Sequence, residues 1–220
     1  STAQVSAFLD TWLASFLVTG SISYLYYANR IFQLPLALFA IATTIALFPR
    51  IARYIKNKDE TKAKEFMSKA FWFLAFILTF SMLGGFILSS EIIWLLFEHG
   101  AFTHNDSANT SSVLQMYMLG LLPFGLQKLF SLWLYANELQ LKAAKIATFT
   151  LSTNILLSLA LISPLGASGL ALASTVSGFI GFILTTRVFG WHNFLDIISS
   201  KKLFYLIISA IVFSIILLIF

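Results

Sequence analysis

Arg30 sits in the stretch LYYANRIFQLPLALF, residues 25–39, where the chain on both sides is apolar enough to lie in lipid. At ~1.5 Å per residue it lies ~13 Å into its span, too deep for its head to snorkel to either interface. A charge there costs about 2.5–3.5 kcal/mol on insertion scales, so it is expected to face a hydrated or protein-lined interior. In such a place the planar donor fork suits a phosphate or a carboxylate. Asn29 and Gln33 are the other strongly polar side chains of the stretch, and Pro35 removes a backbone donor one turn later. Asp10, in the preceding apolar run, is the carboxylate that would instead neutralise Arg30 in a structural ion pair. Both readings stand on the residues alone.

Lys128, in MLGLLPFGLQKLFSLWLYANE, is the other cation within a span, closer to an end and nearer to snorkelling reach. Gln127, Pro123 and Gly125 beside it suggest a bent helix with a polar stripe. Asn154 and Ser158 stand four residues apart and share a helix face. With Ser174, Thr175 and the Asp10 carboxylate they offer oxygens suited to Na⁺, or else ordinary hydrogen bonds between helices. Glu98, His99, His104 and Asp106 share a polar loop and read as solvated rather than metal-binding. SPLGASG (163–169) reads as a tight turn and not a phosphate loop, since it lacks the lysine and the preceding strand. No nucleophile–base constellation stands out, so an enzyme is not expected.

These residues need membrane helices to hold them. Of the 220 residues 59% are hydrophobic and 10% charged, against about 25% charged in soluble domains. Seven apolar runs are long enough to span ~30 Å of hydrocarbon, at about 3–19, 22–48, 70–97, 112–136, 143–163, 167–189 and 203–220. Alternating barrel patterning is absent, so the expected fold is all-α, a polytopic transmembrane helix bundle. KNKDETKAKEFMSKAF is expected as an amphipathic surface helix before the third span. There is no Cys and hence no disulfide framework. Ser rather than Met at position 1 suggests a piece of a longer chain.

Charge then orients the bundle. The loops at 50–69, 137–145 and 187–202 lie on one face and hold 12 of the 14 Lys and Arg. By the positive-inside rule that face is cytoplasmic. The two cations left over are Arg30 and Lys128. The basic stretch at 50–69 fits anionic lipid headgroups, and no nucleic-acid partner is expected.

LDTWLASFLVTGSISYLYYANRIFQLPLALFAIATTIALFPRIAR (9–53) resembles the second lobe of the MurJ/MviN lipid II flippases, a branch of the superfamily of multidrug and polysaccharide exporters. LFEHGAFTHNDS (96–107), YMLGLLPFGLQKLF (117–130) and KIATFTLSTNILLSLALISPLGASGLALAST (145–175) continue the resemblance over nearly the whole chain. It implies one lobe of a V-shaped two-lobe transporter of the bacterial inner membrane. Residues 1–190 would be the second lobe, with six spans, and 191–220 a cytoplasmic connector and the first helix of a C-terminal pair. An N-terminal lobe of the same chain and membrane lipids would be partners. The implied substrate is a lipid-linked diphosphate oligosaccharide, with Arg30 matching the family's cavity arginine. Lys128 matches a lysine often found in the family's tenth helix and stands as a second-rank cavity candidate, and Asn29 and Gln33 are further substrate-binding candidates beside Arg30. No cofactor is implied; Na⁺ or H⁺ is the implied coupling ion, because Asp10, Asn154, Ser158 and Ser174 fall at the family's Na⁺ site. Ser158 stands where a carboxylate or amide is usual, and Asn29 where an Asp is usual. Rival readings are a polysaccharide-lipid flippase, a cation-coupled drug exporter, and a membrane scaffold or enzyme subunit in which Arg30 merely pairs with Asp10.

Overall fold

The computed structural model describes residues 11–17, 19–198 and 200–219. Among these no strand occurs, and the helices account for the apolar runs. The first, α1 (Ser21–Pro35), starts after Gly20, whose φ of 102° falls where glycine is favoured. Pro35 has no N–H to continue the ladder, and the next turn, Leu36–Ile41, widens to π geometry before α2 (Ala42–Lys56) resumes. The 36 residues form one apolar run, Ser21–Lys56, long enough at ~1.5 Å per residue to cross a bilayer and project beyond it. Arg50, Arg53 and Lys56 lie in its last turns, where cations also favour the helix dipole.

Helix α3 (Glu60–Ile87) is capped by the Asp59 carboxylate, which accepts from the Lys62 amide at 3.2 Å. The expected surface helix is thus the first part of this same helix. Lys, Glu and Ala are good helix formers, and no breaker separates the polar start from the apolar run. The run 70–97 is in turn divided at Leu88, with α4 (Ser89–Phe97) following. Helix α5 (His104–Leu119) opens on a capping box: Thr103 and Asp106 each satisfy the other's backbone amide. Gly120 separates it from α6 (Leu121–Ala136), so the run 112–136 is bent rather than straight.

The longest helical run, α7 (Gln140–Phe189), has 50 residues and is broken at Gly166, where φ is 56° and ψ −133°. Those angles suit glycine, and they turn the SPLGASG stretch into a hairpin between two spans. A short helix α8 (Trp191–Ile197) and α9 (Ser200–Ile219) follow. Five helical runs among the described residues are long and apolar enough to cross a membrane. Counting α7 as two gives six, and the expected span 3–19 falls mostly outside the described residues.

The core centres on α6, which packs on α2, α3 and α7. Leu121, Leu129, Phe130 and Leu134 are wholly buried there. Gly125 lets the helices close: a Cβ at that position would meet Leu78 Cδ1 at 2.2 Å. Toward the basic face, Phe130 meets Phe71, Phe182, Phe189 and Phe194 in one aromatic cluster. Phe194 thereby plugs α8 into the bundle, helped by Trp72 Nε1 donating to the Ile197 carbonyl at 3.0 Å. In contrast, α9 buries no side chain and rests on α3 through Phe213 and Phe80.

Candidate functional site

Helix α1 shows one face to an open cleft of about 450 Å³. Ile22, Leu25, Tyr26, Asn29, Arg30 and Gln33 line it, spaced alternately three and one apart as a single helical face requires. Thr11 and Tyr117 of α5 complete the lining. The opposite face of α1 is held by the core: Tyr24, Ala28 and Phe32 are buried. Phe32 stacks on Tyr117, ring centroids 5.5 Å apart and 26° between planes, so the packing that anchors α1 also places Tyr117 at the cleft.

Inside the cleft the polar side chains are paired along the helix. Arg30 Nη2 donates to the Tyr26 hydroxyl at 2.5 Å, and the guanidinium lies over the Tyr26 ring, 4.8 Å from its centroid. Gln33 Nε2 donates to Asn29 Oδ1 at 2.5 Å. Among the described residues no carboxylate lies within ion-pair reach of Arg30. A guanidinium has five N–H donors, and Tyr26 takes one, so an anion in the cleft would meet a preformed fork. Asp10, the expected countercharge, lies outside the described residues.

Lys128 is exposed on α6 and does not line this cleft. Its neighbour Gln127 packs on α7, its side chain lying against Gly181.

The second expected group does not line the cleft and comes together between the two halves of α7. Asn154 Nδ2 donates to Ser174 Oγ at 3.0 Å, and Ser158 Oγ donates to Asn154 Oδ1 at 3.0 Å. All three are buried. Their oxygens are neutral and turned toward one another, so a cation there would draw its countercharge from elsewhere, for which Asp10 was the expected source. Thus three of the four members of the expected ion set are adjacent.

Tyr26 and Tyr117 were missed in the sequence. Tyr26 carried a usable signal, being four residues before Arg30 on a helix. Tyr117 had none, since 87 residues separate it from Arg30.

Comparison with known proteins decides the family. The family model described as "Lipid II flippase MurJ" matches residues 1–220. The chain belongs to the MurJ lipid II flippase family. Among curated MurJ relatives, a probable lipid II flippase of Helicobacter pylori is 54% identical over 202 residues, 92% of this chain and 44% of that protein. One from Thermotoga maritima is 36% identical over 185 residues, covering 84% and 38%. A solved MurJ structure in an inward closed conformation superposes with a TM-score of 0.81 at 29% identity, over 98% of this chain and 49% of that one. The chain thus spans about half the length of the MurJ proteins it matches. The MurJ match does not favour the polysaccharide-lipid, drug-exporter or scaffold readings.

Proposed function

We propose that this chain is the second-lobe portion of a lipid II flippase, moving the undecaprenyl-diphosphate-linked peptidoglycan precursor across the bacterial inner membrane by alternating access. The observation that carries this is Arg30: a fixed charge on the open face of α1, paired only with a neutral tyrosine among the described residues. In the proposed mechanism the substrate diphosphate displaces water from the cleft and takes the free guanidinium donors. Asn29 and Gln33 exchange their mutual bond for bonds to phosphate or sugar oxygens. The aromatic faces of Tyr26 and Tyr117 cover the headgroup, while the polyprenyl tail stays in lipid. Lys128 adds charge from outside the cleft, in the part of the cavity facing an N-terminal lobe. The work is transport and needs no covalent step.

The basic loops 50–69, 137–145 and 187–202 are taken as cytoplasmic, which puts the capping box of α5 outside. Residues 1–190 act as the lobe, and 191–220 connect it to a C-terminal pair. A coupling ion, Na⁺ or H⁺, is read at Asp10, Asn154, Ser158 and Ser174. The adjacency of the last three supports this second reading.

The test is Arg30→Ala in the full-length protein, assayed for lipid II translocation and for growth when it is the sole flippase. Loss of both, with the protein folded and in the membrane, is expected. Wild-type translocation by that variant would end the diphosphate role. Restored function in an exchanged Asp10→Arg, Arg30→Asp pair would make the charge pair structural instead.

A further inference from the structure

Two breaks interrupt the backbone ladder where α5 meets α6. The Gly120 amide turns to the Tyr117 carbonyl at 2.9 Å, so the Met116 carbonyl loses its α-helical donor. Pro123, a few residues on, has no N–H to give. An unsatisfied carbonyl in the membrane interior is costly, and a hydroxyl from another helix meets this one: Thr175 Oγ1, on the second half of α7, donates to the Met116 oxygen at 2.6 Å. Thr175 is 2% exposed, so water does not compete. The approach depends on Gly120, where a Cβ would come within 2.8 Å of that same hydroxyl oxygen. Below the bend, Phe124 lies against Gly178, so α7 grips the bend at two points.

The gripped segment reaches the cleft directly. Met116 adjoins Tyr117, whose ring lines the cleft with Arg30 and stacks on Phe32. Phe32 also meets Phe124 edge-on, centroids 5.8 Å apart. On α7, Thr175 adjoins Ser174, which receives the Asn154 amide.

We propose that Thr175 is a positioning residue: its hydroxyl holds the α5–α6 bend at Met116, and the bend holds Tyr117 against the Arg30 cleft. Thr175 thereby links the buried Asn154–Ser174 bond to the cleft through one carbonyl and one glycine. Its consequence for binding rests on the cleft being the diphosphate site proposed above.

The geometry can be tested without a ligand. In the full-length protein, freed of any cysteines outside this chain, Asn29→Cys supplies a reporter in the cleft, and its maleimide labelling rate is measured. Losing one hydrogen bond should loosen the bend so that Thr175→Val raises the rate about three- to tenfold. Thr175→Ser, which keeps the hydroxyl, should return it to the starting value. Gly120→Ala, which pushes the hydroxyl away from Met116, should raise it as Thr175→Val does, and stands in if that variant does not fold. The control is Thr185→Val on the same helix, whose hydroxyl donates to its own helix at Gly181. It should leave the rate unchanged. Unchanged labelling in both Thr175→Val and Gly120→Ala, or an equal rise in Thr185→Val, would overturn the positioning role.

With Asn29 restored, binding of undecaprenyl diphosphate should weaken by a similar factor in Thr175→Val and not in Thr175→Ser. If the bend loosens while this affinity holds, Thr175 is a structural clamp alone and the inference fails. If the wild-type protein does not bind undecaprenyl diphosphate, the diphosphate reading of the cleft fails instead, and labelling alone decides the role of Thr175.

Discussion

Replacing Asn154 by Ala probes the join between the two halves of α7. The chain reverses at Gly166, and the side-chain bond that crosses between the halves runs from Asn154 to Ser174 at 3.0 Å. Hydrogen bonds between membrane helices average about 0.6 kcal/mol and reach about 1.7. The second bond, from Ser158, is partly recoverable, because a helical serine can turn to the carbonyl four residues back. Adding the void left by a truncated amide, Asn154→Ala is expected to cost about 1–2 kcal/mol. Asn154 and Ser174 have further interactions, so the single-variant loss is a floor. A double-mutant cycle with Ser174→Ala isolates the pair and should give a coupling of about 0.6–1.7 kcal/mol. The measurement is reversible unfolding of the full-length protein in mixed micelles titrated with denaturing detergent. Losses that add within about 0.3 kcal/mol would refute the hairpin bond as an energetic contact.

Gly125→Ala puts a methyl into Leu78 Cδ1 and should cost about 1–3 kcal/mol, read as a lower thermal midpoint. Leu78→Val in the same protein removes the clashing atom and should recover part of the loss. At the basic face, the Lys62 side chain and amide hold the Asp59 carboxyl below its usual pKa. A depressed folded pKa means that this contribution is present at neutral pH and is lost as pH falls through that value. The first turn of α3 should therefore open on acidification, and Asp59→Ala should mimic the acid state at pH 7. Faster trypsin cleavage at Lys62 and Lys64 in that variant reads the opening, and an unchanged rate would mean that the cap does not hold the turn.

Much of the architecture was readable without coordinates because it depends on local rules. Apolar length set the spans, SPLGASG marked the reversal at Gly166, and Pro35 marked the disturbance after α1. What Pro35 produces was not readable: the helix widens to a π turn and continues as one run to Lys56, with the π turn packed on α6 and α3. The polar stretch expected as a surface helix leading into the third span continues into it as one helix, since a drop in hydropathy is not a break in the backbone. Helix-forming residues run through it without glycine or proline until Gly84.

The candidate site divides in the same way. Arg30 was legible because one charge in an apolar run has no local excuse, and charge accounting over the loops left few others. Asn154 and Ser158 were legible as neighbours through their spacing of four. Their meeting with Ser174 was an expectation that depended on which faces of two helices meet.

By itself, then, the sequence determined that the chain lies in a membrane, that it reverses at SPLGASG, and that Arg30 must face something other than lipid. Those results follow from transfer free energies and backbone rules that act over a few residues. Only the tertiary structure decided that Tyr26 holds Arg30, that Tyr117 closes the cleft from 87 residues away, and that Thr175 satisfies Met116. In hydrocarbon every helix is equally apolar outside, so helix partners are selected by small residues and stray polar groups. Those selections appear only when the helices are packed.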